Sequence, residues 1–328
     1  MPAPYTPRPL PVETVDVLRP PQTGFPYFSH ADTLRFQPRA VGHSAVNAWW
    51  LADASFLVYG GEAFIVDALA QSSLPSQGYE LQWLGTPEDN RGMVLANDDA
   101  MIVVFRGTRL AKHTLLDAAE VVLINQYDFW TDSQFFPAVH RIGGRVHAGF
   151  SKAYAEVSEQ LDAIVQARRP GQAIWLAGHS LGGALATLAA AHLAPGTIQG
   201  LYTYGCPRVG NGPFAKTLPV ETHCRFVHRD DWVPLVPPAL LGYQHAGVLC
   251  AVPGTAVRSL WSDFTSGAAA FKTAVIAMTK ELRMNVGELP FKVAGLADHA
   301  PVYYATLLWN ALLAENTENA TSEPPLDG

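Results

Sequence analysis

The stretch 177-AGHSLGGALA-186 places Ser180 between a histidine and a leucine and surrounds it with three glycines. The apolar run before it (173–177, AIWLA) predicts a strand, and the run after it (181–194) predicts a helix. Glycines at a sharp strand-to-helix turn avoid clashes that larger side chains would cause. A bare G-x-S-x-G pattern also occurs by chance or as a plain turn, but this context predicts a nucleophile elbow that exposes the serine hydroxyl.

The segments around this turn alternate between strand and helix patterns. They are an amphipathic helix at 43–60, strands joined by turns within 80–108, a helix at 153–171, strands at 201–205 and 224–228, and a last helix at 301–316. Strands that alternate with helices favour a mostly parallel sheet covered on both faces. The sequence therefore predicts the α/β class.

Composition divides the chain into three parts. Residues 1–40 are rich in proline and lack periodicity, so we predict an extended arm that is wrapped on the surface or mobile. Residues 41–313 form the predicted catalytic domain. The polar segment 314–328 is predicted to be a disordered tail.

Overall composition excludes several classes of protein. The chain has 328 residues, of which 48% are hydrophobic and 16% charged, enough for a large core. A net charge of −7 argues against a nucleic-acid partner. No apolar run is long enough for a transmembrane segment, and the start lacks the pattern of a secretory leader, which leaves a cytoplasmic location or secretion without a visible leader open. The three cysteines have no C-x-x-C spacing, so we expect neither zinc nor a disulfide scaffold.

A serine hydroxyl becomes a strong nucleophile only when a base accepts its proton and a carboxylate orients that base. On this architecture both partners follow the serine in the chain. The strand at 224–228 leads into Asp230 and Asp231, between which spacing alone does not choose. We predict His299 as the base because it lies just before the last helix, and we interpret His245 as structural.

A tetrahedral intermediate also needs N–H donors for its negative oxygen. Leu181, directly after the serine, is the first candidate. The second is Thr108, where the apolar run 101–105 breaks at Arg-Gly-Thr. An alternative interpretation, that this tripeptide is only a turn whose arginine pairs with a carboxylate, is equally compatible with the sequence.

Five motifs carry a family resemblance. In order they are VVFRGT (103–108), VHAGF (146–150), GHSLGGALA (178–186), YTYGCPRVGN (202–211) and DDWVPLVPP (230–238). Together they resemble the class 3 lipases, the fungal-type triacylglycerol lipases of the α/β-hydrolase fold, from about residue 43 to about residue 313. The resemblance implies a serine esterase that acts on water-insoluble acylglycerols with no metal or cofactor.

Carried over residue by residue, the resemblance implies Ser180 as nucleophile, Asp231 as acid and His299 as base. It implies an oxyanion hole at Thr108 and Leu181. It therefore favours Asp231 over Asp230, between which spacing alone does not choose.

The chain departs from the family pattern in two insertions, at 109–128 and 253–296. Both are apolar enough to cover the site. For residues 115–124 a mobile lid and a permanently packed helix are equally compatible with the sequence, and for 268–282 we favour packing.

We therefore predict a serine ester hydrolase of the lipase type, which forms an acyl-enzyme with a lipid or ester substrate and meets it in some cases at an oil–water interface. The alternatives with the same chemistry are a soluble carboxylesterase, a phospholipase A1 or a feruloyl esterase. A more remote alternative is a non-catalytic lipid-binding module that has kept the fold.

Overall fold

The architecture is a mostly parallel sheet with helices on both faces, as predicted. The computed structural model describes residues 5–86, 90–108, 138–231, 233–252 and 297–322. Within these ranges no helix is both long and apolar enough to cross a membrane.

The central sheet runs in the order β1-β2-β3-β6-β7-β9-β11. Its strands are β1 (Glu80–Gly85), β2 (Asn90–Ala96), β3 (Ala100–Phe105), β6 (Ala173–His179), β7 (Ile198–Tyr204), β9 (His223–Val227) and β11 (Val248–Ala251). The first three pair antiparallel, and from β3 onward all pairs are parallel. The carboxyl ends of β3, β6, β7 and β9 therefore share one edge, which is where ligand sites form in such sheets.

A second, smaller sheet has the order β10-β8-β5-β4 and is antiparallel. Its strands are β4 (Ala138–Val139), β5 (Arg145–Val146), β8 (Gly210–Asn211) and β10 (Tyr243–Gln244). The helices are α1 (Val15–Leu18), α2 (Ala45–Leu57), α3 (Glu62–Ala70), α4 (Ala148–Ala155), α5 (Ser158–Gln166), α6 (Leu181–His192), α7 (Gly212–Thr217) and α8 (Pro301–Ser322). Short 3₁₀ turns lie at Pro75–Gln77, Val233–Leu235, Ala239–Leu241 and Ala297–His299.

Alternate residues of the central strands enter two different cores. Ile102 and Trp175 belong to the cluster that contains α2 and α8. Val103 and Leu176, their neighbours in sequence, belong to the cluster that contains α4 to α6. Because side chains alternate across a strand and both faces are covered, β3 and β6 are buried along their whole length.

The helix predicted at 43–60 is present as α2, but the amphipathic assignment was wrong. Ser44 caps it by accepting the amide of Asn47 at 3.1 Å, and every residue after Val46 is buried. The reason is its position between the sheet and α8, which leaves no face in water. A helix buried on all sides needs no polar stripe.

Two other helix boundaries differ from the predicted ones. The helix expected at 153–171 is two helices, α4 and α5, because Val157 is buried in a non-helical conformation between them. The last helix continues to Ser322, so residues 314–322 are helical and not part of a disordered tail. Thr317 donates its hydroxyl to the carbonyl of Leu313 at 2.9 Å, which shows how polar residues continue an exposed helical end.

The amino-terminal segment is fastened to the domain through a buried ion pair. The guanidinium of Arg8 donates to both carboxylate oxygens of Asp53 in α2, at 2.7 and 2.9 Å. It also donates to the carbonyl of Ala305 in α8 at 3.0 Å and to that of Pro26 at 2.8 Å. The amino-terminal segment, α2 and α8 are therefore joined at the guanidinium of Arg8.

Arg8→Met is expected to lower the free energy of unfolding by about 3 to 5 kcal/mol, because it leaves the Asp53 carboxylate buried without its partner. The side chains of this pair are only 5% and 0% exposed. Arg169, which pairs with Asp98 at 52% and 86% exposure, offers a matched control, and Arg169→Met should cost less than about 1 kcal/mol. Urea unfolding measures both, and equal losses would show that the buried pair is not special.

Candidate active site

Ser180 occupies a strained turn between β6 and α6. Its φ of 58° and ψ of −128° are rare for a residue with a side chain. The two segments touch here, since a Cβ built on Gly178 would lie 2.3 Å from the backbone of Gly182. A Cβ on Gly182 would in turn lie 2.1 Å from the carbonyl oxygen of Phe105 in β3. Glycines at these two positions therefore permit the tight turn that the sequence predicted.

The backbone of Ser180 is held by hydrogen bonds on both sides. Its amide donates to the carbonyl of Tyr204, the last residue of β7, at 2.9 Å. Its carbonyl accepts from the amide of Gly183 in the first turn of α6 at 3.0 Å. The serine therefore lies at the carboxyl edge of the parallel strands.

Asp231 and His299 form a hydrogen-bonded pair at the same edge. His299 Nδ1 lies 3.0 and 2.9 Å from the two carboxylate oxygens of Asp231. The aspartate side chain is fully buried, and that of the histidine is 13% exposed. Because a carboxylate can only accept, Nδ1 carries the proton, and the neutral ring keeps its lone pair on Nε2. This is the tautomer that can take a proton from a nucleophile.

Two further donors hold the Asp231 carboxylate. The Tyr304 hydroxyl donates to Oδ2 at 2.6 Å, and the amide of Val233 donates to Oδ1 at 3.0 Å. Hydrogen bonds to both oxygens fix the plane of the carboxylate. Tyr304 in α8 also accepts from the amide of His228 at 3.1 Å, which ties the acid loop to the last helix.

Gly205 brings the serine and the acid–base pair together. It directly follows Tyr204, whose carbonyl holds the Ser180 amide, and its φ is +56°. A Cβ at this position would lie 2.6 Å from Asp231 Oδ2 and 2.9 Å from His299 Nδ1. Only a residue without a side chain permits this approach.

The loops that carry Asp231 and His299 are joined directly. His228 Nδ1 donates to the carbonyl of Asp298 at 3.1 Å, and the amide of Asp230 donates to the Asp298 carboxylate at 3.3 Å. These bonds link the segment before the acid with the residue before the base. The separation of the pair is therefore set by backbone as well as side-chain contacts.

The proposed oxyanion residues lie at this edge as well. Thr108 follows β3 through Arg106 and Gly107, and Leu181 is the first residue of α6. A Cβ on Gly107 would lie 2.9 Å from the carbonyl of His179, so this loop packs directly on the residue before the serine. The first amides of a helix have no partner within the helix and are suited to bind a negative oxygen.

The other candidate residues lie elsewhere. His245 is buried near Arg225 and Arg208, and burial lowers the pKa of its imidazole well below the usual range. Cys206, Cys224 and Cys250 are free thiols. No group of three His, Cys, Asp or Glu side chains that could hold a metal occurs in the part of the chain that the structure describes. The insertion at 253–296 lies outside the described residues, as does 109–128.

The sequence did not single out two of the residues that shape this site. Tyr304 lies five positions after His299, in a helix whose buried faces the sequence does not distinguish. Gly205 was part of a recognised motif, but its contact with two other loops has no local signal. Both roles depend on distant segments meeting at the sheet edge.

A strained serine between a strand and a helix of a mostly parallel sheet, with an aspartate–histidine pair at the same edge, defines the α/β-hydrolase class. The family model of lipase (class 3) matches residues 102–241. Over this part of the chain the match confirms the resemblance to the class 3 lipases. The matched range includes Thr108, Ser180 and Asp231 and ends before His299.

Curated relatives and solved structures include fungal lipases. Over 109 residues the chain is 45% identical to a secreted mono- and diacylglycerol lipase of Fusarium solani, a match that covers 31% of this chain and 33% of that protein. Over 177 residues it is 34% identical to a lipase of Rhizopus niveus, with 49% and 41% covered. The chain therefore spans less than half the length of these two relatives. A crystal structure of a lipase from Rhizopus microsporus var. chinensis is 27% identical, with a TM-score of 0.48 over 64% of this chain and 76% of that one.

Proposed function

We propose that this protein hydrolyses acylglycerol esters through an acyl-enzyme on Ser180. The observation that carries the proposal is the Asp231–His299 pair, held in the proton-accepting tautomer at the edge where the strained serine lies. The names of the fungal relatives, a lipase and a mono- and diacylglycerol lipase, support the substrate class.

In the first half of the reaction, the Ser180 hydroxyl oxygen attacks the ester carbonyl while His299 Nε2 takes its proton. Asp231 stabilises the imidazolium that forms. The amides of Thr108 and Leu181 stabilise the oxyanion of the tetrahedral intermediate. When the ester C–O bond breaks, His299 returns the proton to the departing alcohol, and the acyl group remains on the serine.

In the second half, water attacks the acyl-enzyme. His299 takes a proton from the water, the same amides stabilise the second oxyanion, and the bond between the acyl group and Ser180 breaks. The proton then returns to the serine oxygen and the fatty acid is released. His299 accepts and returns the proton in each half of this cycle, and no redox change occurs.

Initial rates on p-nitrophenyl esters from acetate to palmitate, below and above the solubility limit of each ester, test the substrate class. We expect a preference for long acyl chains and a rate that rises when substrate aggregates form, since a lipase acts at an interface. A p-nitrophenyl alkylphosphonate should label Ser180, identified by peptide mass spectrometry, and unfolded protein serves as the unlabelled control. Smooth saturation confined to short soluble esters would instead define a soluble carboxylesterase.

A further inference from the structure

A chain of hydrogen bonds runs behind Ser180. Tyr59, just beyond the end of α2, places its hydroxyl 2.8 Å from His179 Nδ1. On the other side of the ring, His179 Nε2 lies 2.7 Å from the carbonyl oxygen of His299. Gly107 of the oxyanion loop packs directly against the Tyr59 hydroxyl. The chain therefore connects the oxyanion loop, the residue before the serine and the base.

The direction of each bond follows from the acceptor at one end. A carbonyl cannot donate, so His179 Nε2 carries the ring proton and donates to His299. Nδ1 is then an acceptor, and the Tyr59 hydroxyl must donate to it. Both hydrogens point from Tyr59 towards the base, and reversing one bond would break the other.

The side chains that form these hydrogen bonds are shielded from water. Tyr59 and His179 are 8% and 3% exposed. Burial lowers the pKa of the His179 imidazole well below its usual range, and the nearby charge of protonated His299 lowers it further. The two rings lie 4.5 Å apart, so a neutral His179 avoids like-charge repulsion when His299 becomes an imidazolium.

The oxyanion loop rests on the tyrosine hydroxyl. A Cβ built on Gly107 would lie 2.0 Å from Tyr59 Oη. Tyr59 itself follows a helix that is buried on all sides, so it is a rigid support. The contact with Tyr59 therefore sets the position of this loop relative to Ser180. Through His179, the same hydroxyl also helps to set the position of His299.

We propose that Tyr59 and His179 are positioning residues, which hold the oxyanion donors and the base at a fixed separation around the serine. The inference rests on the proposed serine hydrolysis. It assigns these two side chains no contact with the substrate. They act through the backbone of Gly107 and His299, so their loss should slow the chemical step more than it weakens substrate binding.

Tyr59→Phe removes the hydroxyl and keeps the ring, with Tyr202→Phe as the matched control. Tyr202 is fully buried, and its hydroxyl also donates once, to the carbonyl of Gly42, and accepts once, from the amide of Ser44, both at 2.8 Å. We expect Tyr59→Phe to lower kcat by about 10- to 100-fold with KM within about twofold of wild type. Phosphonate labelling should slow by a similar factor. Tyr202→Phe should leave kcat within about twofold while it costs comparable stability.

A second variant tests whether the chain acts as a unit. His179→Leu removes both the acceptor for Tyr59 and the donor to the His299 carbonyl. Residues that act as one network give non-additive losses, so the double variant Tyr59→Phe/His179→Leu should be no slower than the slower single variant. Equal kcat values for Tyr59→Phe and Tyr202→Phe, or additive losses in the double variant, would overturn the proposal.

The wild-type protein provides a measurement that needs no variant to fold. Imidazole ¹⁵N NMR should show His179 as the neutral Nε2–H tautomer across the pH range of activity. A charged ring or the Nδ1–H tautomer would contradict the hydrogen-bond directions. If the wild type neither hydrolyses esters nor is labelled at Ser180, the proposed function itself has failed. If it does both and Tyr59→Phe matches Tyr202→Phe, only the positioning role has failed.

Discussion

Ser180→Ala is expected to lower kcat on a p-nitrophenyl ester by about 10⁶-fold, close to the loss seen when a whole serine triad is removed. Without the hydroxyl no acyl-enzyme can form, so the base and the oxyanion donors can assist only direct attack by water. Phosphonate labelling should disappear with the activity. Initial rates at high enzyme concentration measure the residual hydrolysis.

Two other serine variants separate chemistry from backbone strain. Ser180→Gly should be as inactive as the alanine variant, but its free energy of unfolding should rise by about 1 kcal/mol, because the φ of 58° and ψ of −128° suit glycine. Ser158→Ala, at a half-buried serine that begins α5, should keep wild-type activity. Hydrolysis that survives in Ser180→Ala would remove this residue from the mechanism.

The strand-to-helix turn and the alternation of strands and helices were predictable because they depend on local patterns. All eight predicted segments contain strands or helices of the expected type, since apolar periodicity reports which residues face a core. The turn at Ser180 carries its own signal in the surrounding glycines. These features need no knowledge of what the segment packs against.

The errors arise where distant segments meet. The helix at 43–60 has apolar residues at helical spacing, but its burial on all sides depends on α8, which lies far along the chain. Arg8 looked like part of a surface arm until its pairing with Asp53 placed it in the interior. Residues 314–322 are a different case, because their polar sequence carries no apolar pattern from which to predict the end of the last helix.

The same distinction applies to the site. Chain order and spacing indicated the serine and the region of its partners, and the resemblance indicated Asp231. Spacing could not show Tyr304 or the Tyr59–His179 chain, because each of these contacts spans 70 to 120 positions in the sequence and has no local pattern. The side chains that orient the proposed nucleophile and base could therefore be identified only from the structure.

Asp231→Asn is expected to lower kcat/KM by about 10⁴-fold, the loss that follows when a serine hydrolase histidine is held in the wrong tautomer. The amide NH₂ of asparagine would face His299 Nδ1 and turn it into an acceptor, which puts the ring proton on Nε2. That nitrogen then cannot accept the proton of Ser180. Steady-state rates on a soluble ester measure the loss, and imidazole ¹⁵N NMR should show the tautomer change directly.

Asp230→Asn is the matched control, because it makes the same chemical change one residue away. The backbone amide of Asp230, which the substitution keeps, donates to Asp298, while both Asp231 oxygens bind His299. We expect Asp230→Asn to keep kcat/KM within about threefold of wild type. A large loss in Asp230→Asn together with an active Asp231→Asn would reverse the assignment.

The contacts of Asp231 also predict how the asparagine variant differs from a simple deletion. Tyr304 and the amide of Val233 donate to different carboxylate oxygens of Asp231. In asparagine an NH₂ group replaces one of these oxygens, so only one of the two donors keeps its acceptor. Asp231→Ala removes the NH₂ group that would face these donors, and it leaves His299 free to adopt either tautomer. It should therefore retain more activity than Asp231→Asn. If the alanine variant were the slower one, the hydrogen bond that orients the His299 ring would matter more than the tautomer of that ring.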